Sequence, residues 1–190
     1  ENVLKTLKDL EPAGDLVCVF GCGGNRDKTK RPEMGAIATK YATRVVVTSD
    51  NPRFEDPNEI ISDIKGGMDI KGKAKSLFIP DRSEAIRTAI LTAKPGSIVL
   101  VAGKGHEDYQ IINGVKHHLD DKEIISEAFA MQKEAKKKKK KIMLYHLFDY
   151  LNNSGMDFPG IGLMQYISFR ALMALMTALL VALYAGPRII

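Results

Sequence analysis

A carboxylate, an amide and a guanidinium stand within four residues of one another in the tetrapeptide Asp50-Asn51-Pro52-Arg53. Pro52 fixes its own φ and biases Asn51 away from the helical region, so we expect a stiff loop. The guanidinium of Arg53 is a planar set of donors that suits a carboxylate or a phosphate. Taken alone, the tetrapeptide could equally be a turn with an incidental surface arginine.

A second candidate loop, Gly103-Lys104-Gly105-His106-Glu107, combines flexible backbone with ionisable side chains. It lacks the second histidine of H-E-x-x-H, so zinc-dependent hydrolysis is unsupported. Glu107 could pair with an ammonium group while Arg53 pairs with a carboxylate, and together they would recognise the zwitterionic end of an amino acid. His117 and His118, beside a predicted hairpin turn, are expected to be exposed and inert.

The third polar loop begins with Gly21-Cys22-Gly23-Gly24, whose spacing matches neither G-x-G-x-x-G nor a Walker A sequence. Its glycines could simply let the backbone turn sharply after a strand. Four cations follow: Arg26, Lys28, Lys30 and Arg31. A solvated basic loop is the simplest interpretation, but we favour an anion-handling loop that completes a site shared with another domain.

Apolar runs typical of buried strands alternate with helical patterns along the chain. The predicted strands are 16–20, 45–48, 77–79 and 97–102, and the predicted helices are 3–10, 32–41, 57–68, 82–93 and 121–131. Asn113-Gly114, between short runs at 109–112 and 115–118, predicts a type I′ hairpin. The fold class is therefore α/β, a Rossmann-like, mostly parallel sheet with a hairpin at its carboxyl edge. Ligands bind outside the carboxyl ends of such strands, so the three polar loops should share one edge.

The formal charge of +5 is unevenly distributed. Residues 1–132 carry 19 basic and 20 acidic residues, whereas residues 133–190 carry 9 and 3. The basic character thus belongs to the tail and does not indicate that the globular part binds nucleic acid. Two cysteines, Cys18 and Cys22, without a nearby histidine make a poor metal site and indicate a reduced, cytoplasmic domain. The chain opens in a helical pattern without Met or a signal peptide, so we expect a missing upstream segment.

Four segments in this order, 19–28, 31–35, 50–53 and 103–110, resemble the carboxyl-terminal domain of the Mur ligases that add the third residue of the peptidoglycan stem peptide. The resemblance covers essentially residues 1–130. Asn25 stands where many members carry Asp, and we expect little consequence. In this family ATP is used to make an acyl phosphate on the D-glutamate of the UDP-N-acetylmuramoyl-dipeptide, and the amine of the incoming amino acid attacks it.

The resemblance implies a set of residues that bind the amino acid meso-diaminopimelate: Arg26, Asp50, Asn51, Pro52, Arg53, Gly103 and Glu107. The D-N-P-R form of the loop is the one found in members that use meso-diaminopimelate, which has a distal carboxylate that lysine lacks. Lys28 is a candidate contact to nucleotide phosphate. No catalytic residue and no metal ligand is assigned. The resemblance also implies that ATP and Mg²⁺ are bound mainly by a central domain absent here, so that this fragment alone should be inactive.

After residue 132 the composition changes. We predict a lysine-rich linker at 133–142, whose six lysines Lys136–Lys141 should be solvated and unstructured. Residues 143–190 are predicted to be a membrane segment with a transmembrane helix at about 166–185, because the chain there is almost wholly apolar. The tail from Met143 onward, through Tyr166-Ile167-Ser168-Phe169-Arg170-Ala171 and Gly186-Pro187-Arg188, resembles the amino terminus of phospho-N-acetylmuramoyl-pentapeptide-transferase, without that enzyme's catalytic acidic residues. We therefore expect a fusion of two neighbouring reading frames, with the tail in the inner membrane if it is attached.

Two alternatives remain open at this stage. One is an amino-terminal fragment of the membrane transferase, in which the soluble part is a passenger. The other is a generic anion-binding α/β module that reaches membranes through its lysines and its apolar tail.

Overall fold

The computed structural model describes the backbone of residues 1–153 and the side chains of residues 1–146. Glu1–Glu134 form one compact unit, and a second unit begins at Ala135. The predicted transmembrane helix at about 166–185 lies outside the described residues. Within the described residues, no helix combines the length and apolarity needed to cross a membrane.

Four parallel strands form the central sheet in the order β3-β2-β1-β4. They are β1 (Leu16–Cys22), β2 (Arg44–Ser49), β3 (Ser76–Phe78) and β4 (Ile98–Val101). Every residue of β1 is buried, as its continuous apolar sequence predicts for a strand covered on both faces. Because Cys22 is paired with Ser49, the loops that follow β1 and β2 begin side by side. This register brings two of the candidate loops to the same edge.

Helices cover both faces of the sheet. They are α1 (Asn2–Asp9), α2 (Lys30–Tyr41), α3 (Pro57–Gly66), α4 (Ile70–Ala74), α5 (Arg82–Leu91) and α6 (Asp121–Asn153). Aspartates cap the starts of α3 and α5, since the Asp56 carboxylate accepts from Asn58 N and the Asp81 carboxylate from Glu84 N. The sequence analysis missed α4, a single short turn capped by Asp69. Alternate residues of β1 point into two separate apolar cores, one on each side of the sheet.

The predicted hairpin is confirmed as β5 (Tyr109–Ile112) and β6 (Val115–His118). Asn113 and Gly114 have φ values of 50° and 79°, the positive values that a type I′ turn requires. The hairpin is attached to the Asp50–Arg53 loop, because Arg53 N donates to Ile111 O at 2.9 Å. It therefore lies at the carboxyl edge of the sheet, as the sequence predicts.

The end of the last predicted helix was wrong. Helix α6 does not stop near residue 131 but continues through the lysine run to Asn153. The expectation that Lys136–Lys141 are unstructured was therefore wrong too. Lysine, alanine and glutamate are favourable in helices, and neither Gly nor Pro interrupts residues 121–153. The lysine side chains are exposed, so water screens their mutual repulsion.

Candidate functional site

Hydrogen bonds join the three candidate loops at the carboxyl edge of the sheet. Gly24 N donates to Asn51 O at 2.8 Å, and Arg53 Nη1 donates to Gly24 O at 2.6 Å, which ties the glycine loop to the Asp50–Arg53 loop. Asn51 Nδ2 donates to Glu107 Oε2 at 2.9 Å, which ties that loop to the third one. Arg53 and Glu107 thus belong to one connected site.

Asn51 is the central connection. Its side chain is buried, and its Oδ1 accepts from Lys104 Nζ at 3.2 Å and from Ile111 N at 2.9 Å. Because Oδ1 already accepts from these two donors, Nδ2 is directed at Glu107. The X-Pro turn thus presents an amide whose polar atoms are all partnered, as buried polar groups generally are.

Arg53 adopts a left-handed backbone conformation, with φ 55°. Its backbone is held on both sides by the hairpin, since Arg53 N donates to Ile111 O and Arg53 O accepts from Asn113 N. Its half-buried guanidinium lies beside Gly23: a Cβ on that glycine would be 3.0 Å from Arg53 Nη1 and 3.5 Å from Arg26 Cγ. The Arg26 side chain is exposed and makes no hydrogen bond or ion pair within the described residues. Two arginines therefore border the same glycine and can turn donors toward an anion.

Lys104 is a site residue that the sequence analysis did not assign. Its side chain is fully buried, and Nζ lies 3.6 Å from Asp50 Oδ1, 4.0 Å from Glu107 Oε2 and 2.5 Å from Tyr109 O. Burial lowers the pKa of the ammonium, whereas the Asp50 carboxylate favours the charged form. The sequence signal was a lysine between two glycines directly after a strand, but nothing in it shows that the side chain turns inward.

The Asp50 carboxylate is incompletely hydrogen-bonded. Its Oδ1 is buried and accepts no hydrogen bond within the described part of the chain. Gly103, a predicted contact, lies opposite: a Cβ on it would be 3.9 Å from the Asp50 carboxyl carbon. The φ of Gly103 is 123°, which favours glycine at this position.

Arg82 is a second residue of the site that the sequence does not reveal, because its local pattern is that of an ordinary helix start. It is almost completely buried and forms a bidentate pair with Asp121 at 2.6 and 2.8 Å. Its guanidinium also donates to Ser49 O and Ala102 O, the carbonyls that immediately precede Asp50 and Gly103. Arg82 therefore fixes the starts of two candidate loops.

The basic loop needs a correction. Arg31, predicted as one of its anion-handling cations, is buried and bound to Glu55 at 3.0 Å and to Asp63 at 2.8 Å. It also donates to Gly23 O at 3.2 Å and so holds the glycine loop in place. The Arg31 guanidinium is the main cause that lowers the pKa of Glu55 to about 2. Lys28 pairs with Glu55 at 3.1 Å but stays 62% exposed, so it lies at the rim of the site.

Both cysteines are free and buried. Burial raises the pKa of Cys18 to about 12 and that of Cys22 to about 11, so both thiols are protonated at neutral pH. Among the residues that the structure describes, no group of histidines, cysteines or carboxylates is arranged to hold a metal ion. His117 and His118 are exposed, and the bond between His118 Nε2 and Glu123 raises the pKa of the histidine.

All of the predicted amino-acid contacts lie on the three loops at this edge: Arg26, Asp50, Asn51, Pro52, Arg53, Gly103 and Glu107. Asn51 is hydrogen-bonded to Glu107 directly, and it is linked to the Arg53 side chain through Gly24, which bonds to both. Their roles toward a ligand stay predictions. The arrangement offers cations and carboxylates side by side, as recognition of a zwitterion requires.

The family model for the Mur ligase, glutamate ligase domain, matches residues 1–105. A UDP-N-acetylmuramoyl-L-alanyl-D-glutamate--2,6-diaminopimelate ligase from Bacteroides fragilis is 54% identical over 131 residues, which are 68% of this chain and 27% of the relative. The ligase of the same name from Synechococcus elongatus is 53% identical over 135 residues, 71% of this chain and 27% of the relative. A solved structure of a ligase of that name is 46% identical, with a TM-score of 0.64 over 68% of this chain and 27% of that one. The chain thus spans about a quarter of the length of these relatives.

Proposed function

This chain belongs to the Mur ligase family, and on that premise we propose that residues 1–132 are the amino-acid-binding domain of an ATP-dependent ligase that adds meso-diaminopimelate to UDP-N-acetylmuramoyl-L-alanyl-D-glutamate. The observation that carries the proposal is the hydrogen-bonded link from Glu107 through Asn51 to the loop that bears Arg53. The names of the relatives, which specify 2,6-diaminopimelate, support the choice of amino acid.

Diaminopimelate carries an ammonium and a carboxylate at each end, whereas lysine lacks the distal carboxylate. In the proposed complex, Arg53 and Arg26 bind that carboxylate, because both border Gly23. Glu107 and Asp50, whose partly exposed carboxylates lie on the two loops that Asn51 joins, bind an ammonium. Each ligand charge then meets a fixed opposite charge, which compensates for the water that it loses.

The domain's contribution to the reaction is positional. One amine of the bound diamino acid attacks the acyl phosphate carbon of the D-glutamate, an amide bond forms and inorganic phosphate leaves. Loops anchored on a buried sheet hold the amino acid in one orientation, which lowers the entropic part of the barrier.

ATP and Mg²⁺ do not fit the described residues on their own. The glycine loop lacks nucleotide-binding spacing, and Arg31, one of the cations predicted to handle an anion, is occupied by Glu55 and Asp63. We place the ATP and UDP-dipeptide sites on other parts of the complete enzyme, with Lys28 as the residue that reaches toward phosphate from this domain. Such an enzyme works in the cytoplasm, where both nucleotides are available, and residues 1–132 alone do not turn over.

The tail is proposed to be separate from this function. We assign 133–142, which is helical as part of α6, as a lysine-rich linker and 143–190 as a membrane segment like the amino terminus of phospho-N-acetylmuramoyl-pentapeptide-transferase. The support is the nearly uncharged sequence from 166 to 184, which has the length of a bilayer core. Mass spectrometry of native extract tests the fusion, since a peptide spanning residues 132–143 would show that one continuous chain exists, and separate products would show that it does not.

Calorimetry of the 190-residue chain with meso-diaminopimelate and with L-lysine tests the main proposal. We expect saturable binding of diaminopimelate and at least tenfold weaker binding of lysine. Equal binding of both, or of inorganic phosphate in preference to both, would favour a generic anion-binding module. No binding of diaminopimelate at millimolar concentration, in protein shown to be folded, would overturn the proposal.

A further inference from the structure

We propose that Lys104 is a positioning residue of the amino-acid site, whose buried ammonium fixes the orientations of the Asn51 amide and the Glu107 carboxylate. The inference rests on the proposed function for its ligand, meso-diaminopimelate. It goes beyond that function because Lys104 is not among the residues proposed to contact the amino acid.

Because Lys104 is buried, it can position other residues of the site but does not contact the ligand itself. Its side chain has no exposed surface, so a ligand at the edge of the sheet cannot touch the ammonium without displacing protein atoms. Gly103 and Gly105 flank it with φ values of 123° and 59°. These left-handed conformations are accessible to glycine at little cost. The backbone on both sides is therefore shaped to turn this lysine inward.

The three protons of the Lys104 ammonium are directed at three sets of acceptors. One partner is Asn51 Oδ1 at 3.2 Å, and a second is Tyr109 O at 2.5 Å. The third direction faces the carboxylates of Asp50 at 3.6 Å and Glu107 at 4.0 Å. An ammonium suits this arrangement better than a planar guanidinium, because its three donors diverge from one small centre.

The orientation of Asn51 depends on this contact together with the bond from Ile111 N. An asparagine amide can rotate by half a turn and exchange its oxygen and nitrogen positions. Lys104 Nζ and Ile111 N both donate to Oδ1, so that rotation would bring Nδ2 against two donors. With Lys104 in place, Nδ2 must face Glu107 Oε2. Glu107 is thereby held at a defined point of the site edge.

Charge supports the same role. Asp50 and Glu107 are the carboxylates proposed to receive the ligand ammonium, and they lie on two different loops. The Lys104 ammonium between them reduces their mutual repulsion before a ligand arrives. Removing that charge should let the two carboxylates separate, so that the amino-acid ammonium no longer meets both.

The test uses the 190-residue chain with Lys104→Met, which keeps an unbranched side chain and removes the charge. Lys94→Met is the matched control, because Lys94 pairs with Asp15 at 3.3 Å and lies before β4, at the opposite end of that strand. Calorimetry should show about 10- to 100-fold weaker binding of meso-diaminopimelate for Lys104→Met and unchanged binding for Lys94→Met. An unchanged affinity in folded Lys104→Met would overturn the inference.

NMR without ligand makes the test independent of the proposed function. In the wild-type chain, the Asn51 side-chain amide should give a protected, shifted pair of proton resonances, which should lose both properties in folded Lys104→Met. A merely structural lysine would lower the unfolding temperature and leave those resonances in place, and that result would contradict positioning.

If Lys104→Met does not fold, a protected Lys104 ammonium resonance in the wild-type chain supports the inference, and rapid exchange of that resonance with water overturns it. If the wild-type chain binds no diaminopimelate, the proposed function fails, while the Asn51 resonances still decide the role of Lys104.

Discussion

The Asn51 side chain donates a hydrogen bond to the Glu107 carboxylate at 2.9 Å, although 56 residues separate them in the sequence. This bond unites the loop after β2 with the loop after β4. It places the carboxylate proposed for an ammonium and the arginine proposed for a carboxylate within one hydrogen-bonded unit.

Replacing Asn51 with Leu should disrupt that unit. The substitution removes the acceptor of Ile111 N and one of the acceptors of Lys104 Nζ, which keeps Tyr109 O, so each of these buried donors loses a hydrogen bond. Each such donor costs about 1–3 kcal/mol, so the free energy of unfolding should fall by at least that amount. Chemical denaturation measures the change. Asn58→Leu, on an exposed helix start, is the control and should change stability much less; equal effects of the two substitutions would contradict the central role of Asn51.

Gly24 should tolerate no side chain. A Cβ there would lie 1.9 Å from the backbone oxygen of Pro52, so Gly24→Ala must push the glycine loop away from the Asp50–Arg53 loop. We expect the bond from Arg53 Nη1 to Gly24 O to be lost, together with binding of meso-diaminopimelate. Calorimetry and thermal unfolding measure the two effects. Gly66→Ala is the control, since nothing lies within 4 Å of its Cβ position; if Gly24→Ala bound diaminopimelate as well as Gly66→Ala does, the close-approach argument would be refuted.

The buried pair of Arg82 and Asp121 should be important for stability. Arg82→Met leaves the mostly buried Asp121 carboxylate without its partner and frees two backbone carbonyls, at a cost of about 3–5 kcal/mol. Arg87→Met, on the same helix, breaks only partly exposed pairs with Glu84 and Glu127 and should cost less than about 1 kcal/mol. Denaturant unfolding of both variants measures the difference, and similar losses would show that Arg82 does not clamp the loops.

Acid should destabilise the fold through Glu55. The pKa of this carboxyl is lowered from 4.5 to about 2 in the folded chain, mainly by Arg31, so the folded state favours its ionised form. The resulting stability is fully present above pH 4.5 and is lost as the pH falls toward 2. Glu55→Gln should flatten the stability profile in this window. Thermal unfolding between pH 5 and pH 2 measures the stability profile. If Glu55→Gln had the same profile as the wild-type chain, Glu55 would not be the source of the acid sensitivity.

The sequence predicted the scaffold of the site well because local signals determined it. Asn113-Gly114 specifies a type I′ turn through its positive φ values, and the buried run of β1 specifies a central strand. The carboxyl ends of parallel strands lie at one edge of the sheet, so the alternation of strands and helices along the chain predicted that the three loops converge.

The residues that the sequence did not reveal depend on contacts between distant segments. Arg31 is neutralised by carboxylates 24 and 32 residues away, and Arg82 by one 39 residues away, so neither could be recognised as buried from its neighbours. Lys104 was visible as a cation in a glycine-flanked loop, but its inward direction is set by the partners that it meets only in the fold. The extension of α6 was missed because a run of like charges was weighted above the helix propensity of lysine.

Competition between meso-diaminopimelate and L-lysine for binding to Arg53→Ala tests the central claim most directly. Arg44→Ala is the control, because Arg44 lies at the start of β2, away from the loops of the site, and contacts Thr92. The account predicts that Arg53→Ala lowers the affinity for diaminopimelate by about 30- to 1000-fold, equivalent to about 2–4 kcal/mol. The affinity for lysine should hardly change, so that the preference disappears. A preference for diaminopimelate that survives in folded Arg53→Ala would show that another group reads the distal carboxylate and would contradict the account.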